Sequence, residues 1–178
     1  MAKILASAAT LLFSISLAGC SALGPLVYRY PAYSPSKEEL EMIRVIFPPY
    51  FALPPIQMAS VAEIERVNED FVSYYDDSYQ VIVLSESTCR ESRLAILIHE
   101  LTHHYQNAYL HRKMGGSDYQ TNCDCNEIAC PITRCLSIED EASLVATFAK
   151  NYRQGYENRY IKRYMKTKMA LLPDSRWN

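Results

Sequence analysis

The chain has 178 residues, 49% of them hydrophobic and 21% charged, with a formal net charge of −2 at pH 7. That is apolar material for one sizeable core, and the charge balance excludes an affinity resting on nucleic-acid phosphates or other polyanions. A single globular unit without a nucleic-acid partner is expected.

At the N-terminus, Lys3 precedes the uncharged apolar run Ile4 to Ala18 and then Gly19-Cys20. This is the pattern of a signal peptide, too short to serve comfortably as a membrane span. Leu17-Ala18-Gly19-Cys20 resembles the lipobox of bacterial lipoproteins. The resemblance implies cleavage after residue 19, lipid on the thiol and amino group of Cys20, and, with Ser21 next, an outer-membrane or periplasmic-face location. A plain secretory signal with an incidental cysteine is the alternative. Loss of residues 1–19 removes one cation, Lys3, and no acid, taking the net charge from −2 to −3.

Residues 20–35 contain Pro25, Pro31 and Pro35 without apolar periodicity and read as a tether, so a single domain is expected over 36–178. Ser36 and Glu39 have capping-box spacing, and Leu40, Ile43 and Phe47 follow at helical intervals until Pro48-Pro49. Ile56 to Ala59 alternates like a short strand, and Ser60 with Glu63 caps a helix to about Val67. Tyr79 to Leu84, centred on Val81-Ile82-Val83, is the clearer strand. A helix from about Arg90 to Leu110 follows, apolar nearly all round in its middle and so expected to run through the interior. From Ser137 a last helical region begins, with a break possible at Gly155.

Five cysteines follow Cys20: Cys89, Cys123, Cys125, Cys130 and Cys135. In an exported protein these read first as disulfide partners stapling the long stretch from Met114 to Cys135, with one thiol left over. Their spacing is not a well-attested zinc arrangement. Downstream, eight basic residues lie between Lys150 and the C-terminus, interleaved with Tyr152, Tyr156, Tyr160 and Tyr164. Tyrosines four apart form one stripe on a continuous helix, and packing against the core or a partner is the reading favoured over nucleic-acid or glycan stacking. One of them can also serve as a hydrogen-bond donor to an oxyanion.

The chemistry-bearing segment is His99-Glu100-Leu101-Thr102-His103, an H-E-x-x-H pattern. Positions four apart on a helix are rotated by only about 40° and raised one turn, so both imidazoles can reach one ion. Glu100 beside them suits the general base: zinc lowers the pKa of its water to about 7, and the carboxylate takes the proton as the carbonyl is attacked. Burying two imidazoles and a carboxylate among leucines and isoleucines is costly without partners, and a metal supplies them. His104 faces about 100° away from His103, and His111 lies too far along to be a ligand.

A third ligand is needed, and Ile138-Glu139-Asp140-Glu141-Ala142-Ser143 offers carboxylates at a helix start. Here the sequence resembles the gluzincin zinc metallopeptidases, in which HExxH is followed by a glutamate on a second helix. Thermolysin-related and membrane-associated CAAX-type members carry E-x-x-A-D. Glu139 to Ala142 matches E-x-x-A, with Ser143 where those proteins have the acid, so the partner of one histidine is not supplied by that pattern. Glu139 shares its face with Ala142, Ala146 and Ala149, which favours close helix approach, and it is preferred over Glu141 as the ligand. Whichever glutamate is not a ligand is expected to be an N-terminal helix acid favoured by the dipole.

The resemblance implies an α+β, zincin-like fold with a short sheet, Zn2+ as cofactor and hydrolysis of peptide or protein substrates at the bacterial envelope. The ligands would be His99, His103 and Glu139, with Glu100 as general base. It further implies that the strand over Tyr79 to Leu84 lines the cleft and binds an extended peptide by strand addition. A zinc hydrolase of another cell-wall amide and a non-catalytic zinc-binding lipoprotein are the alternatives.

Overall fold

The computed structural model describes residues 29–69, 72–112 and 136–172. The expected signal peptide, Cys20, most of the expected tether and Cys123, Cys125, Cys130 and Cys135 lie outside the described residues. Within them the architecture is mixed α and β, consistent with the α+β expectation. Its elements in chain order are α1 (Lys37–Ile46), β1 (Ile56–Ala59), α2 (Val61–Glu65), β2 (Ser73–Asp76), β3 (Val81–Ser85), α3 (Arg90–Ala108), α4 (Ile138–Arg153) and α5 (Arg159–Lys168). Among the described residues no helix is long and apolar enough to cross a membrane.

The sheet has the order β1-β3-β2, with β1 parallel and β2 antiparallel to β3. Central β3 is buried at every position, which explains why Val81 to Leu84 is continuously apolar rather than alternating. Ile82 and Leu84 face the main core beside Leu94, Leu97, Ile98 and Leu101 of α3. Val81 and Val83 face a smaller cluster with Tyr30, Ala59 and Ile64. Full burial of one such aliphatic side chain is worth on the order of 1.5–3 kcal/mol.

Central placement of β3 corrects one expectation. Both of its edges are occupied, so this strand cannot receive a peptide by strand addition; the edge strands are β1, whose outer side is bridged by Ala32, and β2, which was not anticipated from the sequence. Tyr79 also falls outside the strand. It lies in the turn after Asp76, whose Oδ1 accepts hydrogen bonds from the backbone N–H groups of Ser78 and Tyr79 at 3.0 and 3.2 Å.

The expected tether is also shorter at its C-terminal end. The backbone N–H of Tyr33 donates to the Ile56 carbonyl and that of Met58 to the Pro31 carbonyl, both at 2.8 Å, while Ala32 bridges Gln57. These contacts cover the outer side of β1 ahead of Ser36. The Ser36–Glu39 capping box then opens α1, with the Glu39 carboxylate also accepting from the Tyr33 hydroxyl at 2.7 Å.

α3 runs between the sheet and α4 and is the interior helix anticipated from its composition; from Glu100 to Gln106 every residue is buried. Cys89 stands at its N-cap, its thiol exposed and donating to the Ser92 hydroxyl. α4 opens on a Ser137–Asp140 capping box and ends in a paired hydrogen-bond motif: Gly155 N–H to the Tyr152 carbonyl and Tyr156 N–H to the Asn151 carbonyl. Gly155 adopts φ +78°, the left-handed conformation this ending requires. The chain turns there, so the four tyrosines do not form one stripe. Tyr152 and Tyr164 pack on the core, while Tyr156 and Tyr160 are exposed.

Candidate metal centre

His99 and His103 sit one turn apart on α3, with ring centroids 4.6 Å apart and planes nearly perpendicular. Their Nε2 atoms approach to 3.0 Å. Glu139, in the first turn of α4, reaches both: Oε2 lies 3.2 Å from Nε2 of His99 and Oε1 lies 3.3 Å from Nε2 of His103. These three residues form the one group among the described residues whose atoms could hold a metal ion. The approach of α4 is made through small side chains, since Ala142 is fully buried and Ala146 lines the same cleft.

Four electron-rich atoms, two Nε2 and the two Glu139 oxygens, with nitrogen–nitrogen and nitrogen–oxygen approaches of 3.0–3.3 Å, repel one another unless a cation, either protons or a metal, lies among them. The ionisation of the site follows that demand. Burial disfavours the charged form of His99, but its bond to Glu139 and the charges of Glu100 and Glu139 outweigh burial and raise its pKa above the ordinary value. Hydrogen bonds to His103 and His99 hold the Glu139 carboxyl well below the usual carboxylate range.

Glu100 points from α3 toward β2. Its Oε1 accepts the Ser73 hydroxyl at 2.5 Å, and burial pushes its pKa up. It lines, with His99, His103 and Glu139, a cleft of about 480 Å³, a size suited to a small organic group or a few peptide residues. Ser73, Val72, Ala95 and Ile96 form one wall, and Ser143, Ala146 and Thr147 of α4 form the other.

Glu141 stands in the acidic first turn of α4, the place expected for whichever glutamate is not a ligand, but it does more than complement the helix dipole. It is buried on another face of α4, ion-paired to Arg112 and accepting from Gln106 Nε2 at 2.8 Å and from the Tyr164 hydroxyl at 2.7 Å. Tyr164 is therefore directed at Glu141, and no tyrosine of the expected stripe lines the cleft. His104 faces away, its Nδ1 3.2 Å from the Tyr75 hydroxyl, and His111 lies beyond the end of α3. Ser143, at the position where the resembling families carry an acid, is exposed in the cleft wall. The histidine partner comes instead from Gln106, whose Oε1 is 3.1 Å from Nδ1 of His103. Its spacing of three from His103 on one helix was the available sequence signal.

No family model matches the chain, and neither does any curated protein or solved structure.

Proposed function

We propose that the protein is a zinc-dependent metallopeptidase held at the bacterial envelope by lipid on Cys20, with His99, His103 and Glu139 as ligands and Glu100 as general base. The convergence of two imidazole Nε2 atoms and both Glu139 oxygens supports this reading most directly. Their separations of 3.0, 3.2 and 3.3 Å are close to the roughly 3.3 Å between neighbouring ligands of a tetrahedral zinc with bonds of about 2.0–2.1 Å. Two neutral nitrogens and a carboxylate are also a donor set typical of catalytic zinc, which keeps a fourth position open. When bound, zinc polarises a carbonyl oxygen and acidifies water.

The chain's own residues carry the remaining work. Glu100, raised in pKa and fixed through Oε1 by Ser73, has Oε2 available to take a proton from the attacking water and return it to the departing amine. The edge of β2 supports binding of an extended backbone, since Val72, Ser73 and Tyr74 line the cleft and β3 occupies the other side of that strand. The apolar faces of Val72, Ala95, Ile96 and Ala146 suit an uncharged side chain next to the cleaved bond.

Metal analysis of the purified protein is expected to find about one zinc per chain, with Glu100→Gln retaining it while losing cleavage of a peptide library. Hydrolysis of peptidoglycan fragments but not peptides would move the assignment to a cell-wall amidase. Metal that raises the melting temperature without turnover on either substrate would make the site structural.

A further inference from the structure

Gln106 is fully buried, and its amide faces three groups, two of which have a fixed hydrogen-bonding character. Nε2 lies 3.1 Å from the Ile138 carbonyl oxygen and 2.8 Å from Oε2 of Glu141. Both are acceptors: the carbonyl has no hydrogen, and the Glu141 carboxylate already receives Arg112 and the Tyr164 hydroxyl. The NH2 end of Gln106 must therefore occupy this side, which leaves Oε1, an acceptor only, 3.1 Å from Nδ1 of His103. An acceptor there requires hydrogen on Nδ1. In the neutral ring the lone pair is then on Nε2, which faces Glu139 and His99.

We infer that Gln106 is a positioning residue for the metal centre, its amide oriented by Glu141 and the Ile138 carbonyl so that neutral His103 holds its hydrogen on Nδ1 and presents the Nε2 lone pair to the cleft. The inference rests on the reading of His103 as a metal ligand. It also gives the buried Glu141–Arg112–Tyr164 cluster a role: three elements converge there to fix one side chain. Tyr164 comes from α5, Arg112 from the segment after α3, and Glu141 from α4. Hydrogen bonds to the distal nitrogen of a ligating histidine also raise its basicity, and losing such a partner typically costs 10–100-fold in metal affinity.

The test uses the full chain, free of metal and labelled with 15N in its histidines, at mildly alkaline pH. Two-bond proton–nitrogen correlation spectra are expected to show His103 as the Nδ1–H tautomer, assigned by comparison with His103→Ala. In Gln106→Met, which keeps the side-chain volume, a mixture of tautomers is expected. Competition with a chromophoric chelator is expected to show zinc binding weakened about 10–100-fold. If Gln106→Met fails to fold, Glu141→Gln serves in its place, with a several-fold loss expected. The inference is overturned by an Nε2–H tautomer in the wild type, or by wild-type zinc affinity in whichever variant folds. Absence of zinc binding with the Nδ1–H form present would remove the metallopeptidase reading and leave the positioning by Gln106 intact. Tight zinc binding with the reverse tautomer would do the opposite.

Discussion

The hydroxyl of Ser73 on edge strand β2 donates to Oε1 of Glu100 on α3 at 2.5 Å, joining the strand that walls the cleft to its one deeply buried carboxylate. Burial raises the Glu100 pKa, while the Ser73 bond and the neighbouring His103 and His99 pull it down. A base must be deprotonated to act, so with Glu100 in the proposed role the activity should fall as pH drops through this raised value. Ser73→Ala removes a charge-assisted bond worth about 1.5–3 kcal/mol in general, and the acidic limb of the kcat/KM profile should move upward by on the order of one pH unit. A limb that stays in place at equal zinc loading would separate Ser73 from the base.

Glu139 and Glu141 are two positions apart and should respond in opposite ways. Glu139→Ala, in the cleft wall, is expected to abolish zinc uptake while barely changing the stability of the metal-free protein at alkaline pH, where His99 is no longer charged. Glu141→Ala strands Arg112, the Tyr164 hydroxyl and the Gln106 amide, at a cost of about 2–4 kcal/mol. That corresponds to a melting temperature lower by roughly 5–15 °C. At saturating zinc this variant should still hold one ion per chain. Metal analysis beside thermal melts checks both, and loss of the ion in Glu141→Ala would exchange the two assignments.

What the sequence disclosed follows from how each element buries its side chains. Helix α3 was legible because its middle is apolar on all faces, and β3 because both of its faces are covered. β2 was not, since the residues it turns inward are Ser73 and Tyr75, neither of them aliphatic, whose hydroxyls bond to Glu100 and to the His104 and Asn107 side chains. Its one usable sign was the Asp76-Asp77-Ser78 turn between a tyrosine pair and a valine run. The small-residue face of α4 pointed to Glu139, but the role of Glu141 was hidden because Arg112 reaches it after the chain leaves α3 through His111, at φ 55°. No periodicity encodes such a turn. Likewise Tyr30 to Tyr33, beside prolines and joined to β1 by a single bridge and a few backbone bonds, carry no strand pattern.

The metal-free site should show a defined pH window. His99 is raised above its ordinary 6.5, so its contribution is complete below that value and fades as pH climbs through the folded pKa. Glu139 is depressed below its ordinary 4.5, so its contribution is complete above that value and fades as pH falls through the depressed one. The His99–Glu139 pair therefore stabilises most between these two ordinary values. With the Glu139 side chain 38% exposed, solvent screening limits the gain to at most about 1 kcal/mol. Melts of wild type and Glu139→Gln without metal should differ by a few degrees in that window and converge at higher pH. Zinc, competing with the same protons, should bind more tightly as pH rises through the His99 transition.

Gly155 offers a control remote from the cleft. A Cβ placed there would meet nothing within 4 Å, but at φ +78° any side chain is strained. Gly155→Ala should cost about 1–2 kcal/mol and lower the melting temperature by roughly 2–8 °C, with zinc stoichiometry and kcat unchanged. A neutral result would mean that the α4–α5 turn relaxes without loss.

The edge of β2 separates a peptidase from a hydrolase of other envelope amides. Val72 is 61% exposed beside Ser73 at the mouth of the cleft, and a substrate laid along this edge would be read through its own backbone N–H and C=O groups. Methylating one substrate amide nitrogen at a time removes a donor without changing the side chains. At positions that pair with β2, each methyl should lower kcat/KM by at least about 2–10-fold, the equivalent of one hydrogen bond. Because strand pairing alternates along a chain, sensitive and insensitive positions should alternate with period two. A series indifferent to methylation at every position would mean that the strand only walls the cleft, and that specificity lies with side-chain contacts to Ile96, Ala146 and Thr147.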